Sequence, residues 1–392
     1  MTQNGDPVVL LNGARTAIGS FGGALKDVDA HVLGATAIGA AVERAGLEPT
    51  DVDEVVMGQI GQIGPDAYNA RRCAVEAGVP VQATAMNVNR LCSSGLQAIV
   101  SGAQQILTDQ AAVVVAGGDE SMSRQPFLEY GARNGWRLGG RDLVDGTLSM
   151  VTDPFGDYPM GYTAELVAER YDVSRAEQDA FAARSQELAT GSIDAGHFAD
   201  EIVVVEPPRG DAFDTDEHPR RGVTVEKLSE MKPVFKKGGT VTAGNSSGIN
   251  DGAAAVVMMR SSQAAERGLK PRLILRAWAT SGIEPEIMGY APTHAIPKAV
   301  EKAGLKLEDI DLIELNEAFA AQAVAVVRDT ALDPERVNVM GGAIAMGHPV
   351  GATGAILTVK LMNALERLDK QRGMVTMCVG GGQGMAAIFE RP

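Results

Sequence analysis

One segment of this 392-residue chain occurs twice. Residues 38–60 read IGAAVERAGLEPTDVDEVVMGQI, and residues 296–318 read IPKAVEKAGLKLEDIDLIELNEA. They align without a gap at an offset of 258, with nine identities: Ile38, Ala41, Val42, Glu43, Ala45, Gly46, Leu47, Asp51 and Asp53 with their partners. Each copy reads as a helix stopped at Ala-Gly-Leu, an acidic turn and an apolar strand. The register continues outside it. CSSGLQAIVSGAQQIL from Cys92 is similar to HPVGATGAILTVKLMNAL from His348, at an offset of 256. AAVVVAGG at 111–118 matches GMVTMCVGG at 373–381, at an offset of 262. Three matches in one order imply two homologous α/β halves, and two copies are too few for a solenoid. The N-terminal half takes residues 1–120 plus 245–270, because AGNSSGINDGAAAVVMM at 243–259 reads as a turn returning into a buried strand. The C-terminal half takes 271–392. Between them, 121–244 reads as an inserted loop domain with a helix around 174–190. Alternating strands and helices predict a mixed sheet with helices on its faces, the halves packed about a pseudo-twofold.

Composition removes several classes. With 45% hydrophobic and 22% charged residues the chain is globular, not disordered. No apolar run approaches the roughly 18 residues of a membrane helix. MTQNGDPVVLLNGARTA lacks a basic and a long apolar region, so no secretory signal is expected. FERP at the end is not a peroxisomal tail, and a cytoplasmic protein is expected. A net charge of −15 disfavours nucleic acid and anionic membranes. Cys73, Cys92 and Cys378 are too few for a disulfide framework and fit no zinc or redox spacing. They suit a reducing compartment, where a catalytic thiol is still available.

Four stretches carry candidate chemistry. Cys92 lies in NVNRLCSSGLQAI, between a strand-like run and a small-residue helix. There the helix dipole and free N–H groups favour the thiolate; buried packing is the other reading. His348, in GGAIAMGHPVGATGA, is the one of five histidines in a Gly-rich turn at a helix start, and at the 256 offset it takes the repeat position of Cys92. About a twofold the two side chains converge, and the imidazole can accept the thiol proton; a capped loop histidine is the alternative. Cys378, in VTMCVGGGQGMA, ends a buried strand at a glycine turn whose N–H groups suit an oxyanion; taken alone, the segment favours a core strand cysteine. Asn316, in ELNEAFAAQ, is either an N-cap or a group that positions a water or carbonyl oxygen.

A basic stretch interrupts the acidic chain. Residues 219–238 hold Arg220, Arg221, Lys227, Lys232, Lys236 and Lys237 against Glu226 and Glu230. A local +4 suits a phosphate-bearing ligand, or is a solvated face. GNSSG at 244–248 has the GxSxG form, yet an apolar run follows it instead of a clear helix. No dinucleotide fingerprint, HExxH or EF-hand pattern occurs, and no metal site is expected.

NRLCSSGLQAI, NEAFAAQ, GGAIAMGHPVGATGA and CVGGGQGMAAIFER together resemble the thiolase family. GGDESMS, MGYTAELVAERY, TVTAGNSSGIND and RTAIGSFGG extend the likeness over nearly the whole chain. The resemblance implies a thiolase fold, α/β, of two βαβαβ-type halves plus a loop domain, assembled as a homodimer or dimer of dimers. It implies Cys92 as the acyl-accepting nucleophile, His348 as its activating partner and Cys378 as general acid/base. Asn316, through a water, and His348 would form one oxyanion hole, and the N–H groups of Cys92 and Gly380 the other. Arg220, Ala243 and Ser247 match positions that bind coenzyme A or substrate. Met160, Met288, Ala318 and Phe319 match the acyl pocket. Implied substrates are acetyl-CoA and 3-ketoacyl-CoA, with coenzyme A as co-substrate and no permanently bound cofactor.

Some positions depart from acetoacetyl-CoA-type members. Pro159 stands where many carry His, CSSG replaces CGSG, and Tyr290, Thr293 and His294 alter a pattern expected to wall the pocket. These changes point to a broader 3-ketoacyl-CoA range. A decarboxylating ketosynthase would carry His at Cys378, and a non-catalytic acyl-CoA binder would lack a reactive residue; neither substitution is present.

Overall fold

The computed structural model describes residues 5–392. Residues 1–4, where the first half and the reading of an absent signal begin, lie outside the described residues. The main strands are Val8–Thr16 (β1), Glu54–Gly58 (β2), Thr84–Val88 (β3), Val114–Ser121 (β4), Asn250–Arg260 (β5), Leu273–Gly282 (β6), Leu312–Leu315 (β7), Arg372–Val379 (β8) and Gln383–Glu390 (β9). They form the path of an eleven-stranded sheet in the order β7-β8-β9-β6-β1-β5-β4-β2-β3. The principal helices are Ala30–Arg44 (α1), Ser94–Leu107 (α2), Met160–Arg170 (α3), Arg175–Asp194 (α4), Pro292–Ala303 (α5), Ala320–Asp329 (α6) and Thr353–Arg367 (α7).

The repeat is visible in the pairing. In the first half β1–β5 and β5–β4 are antiparallel, and β4–β2 and β2–β3 parallel. In the second, β6–β9 and β9–β8 are antiparallel and β8–β7 parallel. Ile313 of β7 then bridges in parallel to Val337, where the first half has β3. The halves meet at the equivalent strands β1 and β6, which pair antiparallel through Val9–Ile274 and Leu10–Leu273. Antiparallel pairing of equivalent strands is what a twofold axis generates.

Both faces of β1, β4, β5, β8 and β9 are covered, so these strands are buried almost throughout, whereas β6 alternates, with Arg276 and Thr280 exposed. Ala254, Val256 and Met258 of β5 join the core around α2 and α7. Ala255, Val257 and Met259 join the core under α1. Helices α2 and α7 lie between the two half-sheets and cross closely at small residues. A Cβ on Gly95 would come 2.8 Å from the Ala355 nitrogen, and one on Gly354 2.3 Å from the Leu96 nitrogen. This crossing corrects the sequence register. The helices start at Ser94 and Thr353, 259 positions apart, and β4 and β8 start at Val114 and Arg372, 258 apart. The offsets of 256 and 262 are slips in the connecting turns. The counterpart of Cys92 is therefore Gly351, and His348 lies about one helical turn upstream of it.

The insertion connects Ser121 to Asn250. Its helix α4 carries a full capping box: Glu177 N–H donates to Ser174 Oγ, and Ser174 N–H to Glu177 Oε2. Arg15 of β1, fully buried, fastens the insertion. Its Nε donates to Glu201 and its two Nη atoms to both oxygens of Asp216, at 2.7–2.9 Å. Removing one member of such a buried set strands a charge, at about 3–5 kcal/mol. No described helix is long and apolar enough to cross a membrane.

Candidate active site

A cavity of about 660 Å³ opens where the halves and the insertion meet. Cys92 reaches it from an elbow before α2. Leu91 takes a left-handed φ of +47°, a conformation that costs a non-glycine residue free energy and must be held in place. Ser94 holds it: its Oγ accepts the Arg90 N–H at 2.9 Å and donates to the Leu91 carbonyl at 2.7 Å. Burial raises the Cys92 thiol above its ordinary value, and the N–H groups of Gly380 and of Cys92 itself oppose that rise. The expectation that a helix N-terminus simply favours the thiolate is thus incomplete, since desolvation outweighs those donors.

His348 enters the cavity from the loop before α7 and is 6% exposed. Its backbone N–H donates to Asn250 Oδ1 at 3.0 Å. Gly347 stands at φ +101° against the same Asn250 side chain, where a Cβ would fall 2.4 Å from Cγ. Only glycine can turn the chain there. Burial pushes the imidazole down to about 4, so it is neutral at ordinary pH. Its Nε2 lies 3.5 Å from Asn316 Nδ2. Asn316 follows β7, with its N–H on the Thr376 carbonyl, and its buried Oδ1 has no protein partner. An orphaned buried acceptor of this kind fits a water or substrate group.

Cys378 is fully buried near the end of β8 and packs with Met288, Ala318 and Phe319. Burial, and the closeness of Cys92, push its thiol far above the ordinary range. It and Asn316 sit behind the cavity wall rather than on it. The wall itself takes Gly380, Met160, Met288, Ala318, Phe319, Ala243, Ser247 and Arg220. The strip Asn245–Ser247 is held by Ala318–Ala320: Ser246 bridges to Phe319, Ser247 N–H donates to the Ala318 carbonyl and Ala320 N–H to the Asn245 carbonyl. Ser246 is buried and donates its hydroxyl to the Thr242 carbonyl. A chain of β5 follows the strip, so GNSSG is no nucleophile elbow.

Two expectations need correction. Tyr290 stacks on Tyr171 with ring centres 3.7 Å apart and donates to Asp329; neither it, Thr293 nor His294 lines the cavity, whereas Pro159 does. The basic stretch is also not one patch. Arg221 is paired with Asp194 and Lys236 with Glu169. Only Arg220, Arg221 and Lys227 reach the cavity. Arg220 makes no ion pair among the described residues, and α4 places it through Gln186 Oε1, which accepts its N–H at 2.8 Å.

One buried acid escaped the sequence reading. Glu120 of β4 accepts the N–H groups of Ile60, Gly61 and Gly351 at 2.9–3.0 Å. It ties the His348 loop to a segment whose Ile60 lines the cavity. Burial pushes its carboxyl up to about 7 against these donors. The signal was present in GGDES: two acids ending an apolar strand. No group of three or more His, Cys, Asp or Glu among the described residues is arranged to hold a metal.

Comparison with known proteins matches residues 8–262 to a family model described as the N-terminal domain of thiolase and 269–391 to that of the C-terminal domain. The chain belongs to the thiolase family. This thiolase is 51% identical to beta-ketothiolase BktB of Cupriavidus necator, over 98% of this chain and 99% of that protein. It is 48% identical to an acetyl-CoA acetyltransferase of Pseudomonas aeruginosa, with the same coverage. A crystal structure of the Bacillus anthracis acetyl-CoA acetyltransferase superposes with a TM-score of 0.96 at 44% identity, covering 98% of this chain and 99% of that one. Human mitochondrial 3-ketoacyl-CoA thiolase in complex with CoA gives 0.95 at 41%, with 98% of each chain covered. The thiolase fold and a thiolase enzyme are thereby established.

Proposed function

We propose that this thiolase cleaves 3-ketoacyl-CoA, acetoacetyl-CoA included, and runs the reverse condensation of acetyl-CoA with acyl-CoA, through an acyl-Cys92 intermediate. The observation that carries this reading is the pair of thiols in unlike settings. Cys92 faces a cavity that a neutral histidine also lines, and Cys378 lies buried close behind. Two titratable groups pushed apart by their environments can take different roles.

In cleavage, His348 Nε2 accepts the Cys92 proton as Sγ attacks the 3-keto carbonyl. The Cα–Cβ bond breaks, and the acetyl-CoA enolate takes a proton from Cys378. Incoming coenzyme A returns a proton to Cys378, and its thiolate attacks the acyl-Cys92 carbonyl. Cys92 leaves as a thiol with the proton stored on His348, so the protons balance. A thiol held neutral by burial is a ready donor to a basic enolate. The Cys92 and Gly380 N–H groups, and His348 with an Asn316-held water, would bear the oxyanions. Arg220 at the rim, with Ala243 and Ser247, would receive coenzyme A as co-substrate rather than as a resident group. The apolar wall of Leu148, Met150, Pro159 and Met288 supports acyl chains longer than acetoacetyl.

Further readings rest on the same fold. Edge strand β3 leaves Ala85–Val88 half-buried with one side unpaired, which supports pairing with a second copy in a homodimer or dimer of dimers. Free cysteines and the acidic charge support a cytoplasmic protein that binds neither nucleic acid nor membrane.

The test is thiolysis of 3-ketoacyl-CoA substrates of increasing chain length, beside incubation with malonyl thioesters. CoA-dependent cleavage without CO2 release supports the proposal. CO2 release without thiolysis favours a ketosynthase, and binding without turnover a non-catalytic acyl-CoA protein.

A further inference from the structure

We propose that Thr353 is the positioning residue that sets the proton of His348 on Nδ1 and so leaves Nε2 free to act as a base. The inference rests on the roles given to His348 and Cys92 above. Thr353 is the first residue of α7, five positions after His348, and is 2% exposed. Its Oγ1 lies 2.6 Å from His348 Nδ1 and 2.9 Å from the Pro349 carbonyl.

A hydroxyl has one proton to give. The Thr353 hydroxyl donates to the Pro349 carbonyl, which also accepts the Ala352 and Thr353 N–H groups. The Thr353 oxygen then acts as acceptor, and the imidazole must supply the proton at Nδ1. The opposite edge of the ring agrees. Nε2 faces the Asn316 amide nitrogen at 3.5 Å, and an N–H on both sides of that contact would repel. Because the imidazole is neutral, it carries one proton, and the two contacts agree on where it sits.

Neutral imidazole otherwise divides its proton between the two nitrogens, and only one arrangement lets His348 take the Cys92 proton from Nε2. Second contacts of this kind commonly select the tautomer of a working histidine. The acceptor of the Nδ1 proton here is a hydroxyl rather than a carboxylate. It orients the ring without adding a negative charge to stabilise imidazolium, which matches a histidine kept neutral between proton transfers.

The test compares Thr353→Val, of similar shape but without the hydroxyl, with Thr353→Ser, which keeps it. Wild type and both variants carry 15N-labelled histidine, and His348 is assigned by its loss in His348→Asn. In wild type and Thr353→Ser, the His348 signals report Nδ1 protonated and Nε2 bare. In Thr353→Val they move toward the mixed tautomer, kcat falls about 10–100-fold with KM little changed, and Thr353→Ser recovers most of it. Thermal unfolding is measured alongside, and a shared loss of Tm in both variants would mark a merely structural role. The proposal is overturned if wild-type His348 is protonated on Nε2, or if Thr353→Val keeps both the wild-type tautomer and rate. A His348→Asn enzyme with full thiolysis would instead overturn the role of His348 itself.

Discussion

Cys92 and Cys378 differ most in what surrounds the sulfur. Cys92 has a cavity and the Gly380 N–H on one side, while Cys378 is enclosed by apolar side chains. Alkylation by iodoacetamide is therefore expected to modify Cys92 at least tenfold faster than Cys378 or Cys73; equal labelling would remove the distinction. The same setting fixes the sign of one pH effect. His348 is pushed down to about 4 by burial, so it loses its accepting lone pair only as pH falls through that value. The acid limb of Cys92 acylation by acetyl-CoA should lie well below 6.5, and a limb at 6.5 would mean an ordinary, solvated histidine. At this scale the sequence drew attention to Cys92, His348 and Cys378 because Cys and His are rare in this chain, and to Asn316 because it stands where a strand gives way to a helix. It was silent about Thr353, whose importance comes from the direction of one hydroxyl, and it marked Glu120 only as an acid ending an apolar strand, without the distant N–H groups that it gathers. It misplaced Tyr290, which turns to Tyr171 and Asp329 instead of the cavity.

Strand β4 brings two buried acids side by side, and they serve different neighbours. Glu120 gathers three N–H groups from two loops at the cavity. Glu120→Gln puts an amide N–H against a donor, so a loss of about 1–3 kcal/mol of stability should come with a lower kcat as the His348 loop shifts. Unchanged kcat at unchanged Tm would show that the loops hold without it. Asp119 accepts from Asn69 and Cys73, and burial pushes it up to about 8. A carboxyl with a raised folded pKa keeps its proton longer than the unfolded chain does. Stability is then highest below the unfolded value near 4 and falls as pH rises toward 8, by up to about 1.4 kcal/mol per pH unit. Asp119→Asn should flatten the fall in Tm between pH 5 and 8, and an unaltered slope would contradict the raised value. The helix expected around 174–190 is α4, whose start the Ser174–Glu177 box closes. Registers across turns were not legible, because Gly-rich connections slide without cost in sequence, and only the Gly95–Gly354 crossing fixes them.

The whole molecule follows from duplication. Two half-sheets joined at β1 and β6 clasp α2 and α7 between them, and the turns before those helices open on one cavity. The repeat alone was enough to read the two halves, and the insertion was the stretch left between them. Its attachment was hidden, since it depends on Arg15 reaching Glu201 and Asp216, about two hundred positions away. The unpaired edge of β3 belongs to this scale too. Ala85→Pro, which removes an N–H on the outer side of the strand, since Thr84 and Val88 bond inward, should shift the assembly toward monomer in light scattering; an unchanged mass would place the subunit contact elsewhere.

The division of labour between the two thiols is tested most directly by intact-protein mass spectrometry of Cys378→Ala incubated with acetyl-CoA, read beside its thiolysis rate. The expected result is one acetyl group per chain, mapped to Cys92, with acetoacetyl-CoA thiolysis reduced by about 10²–10⁴-fold. An acetyl group absent or on another residue, or thiolysis at the wild-type rate, would contradict it.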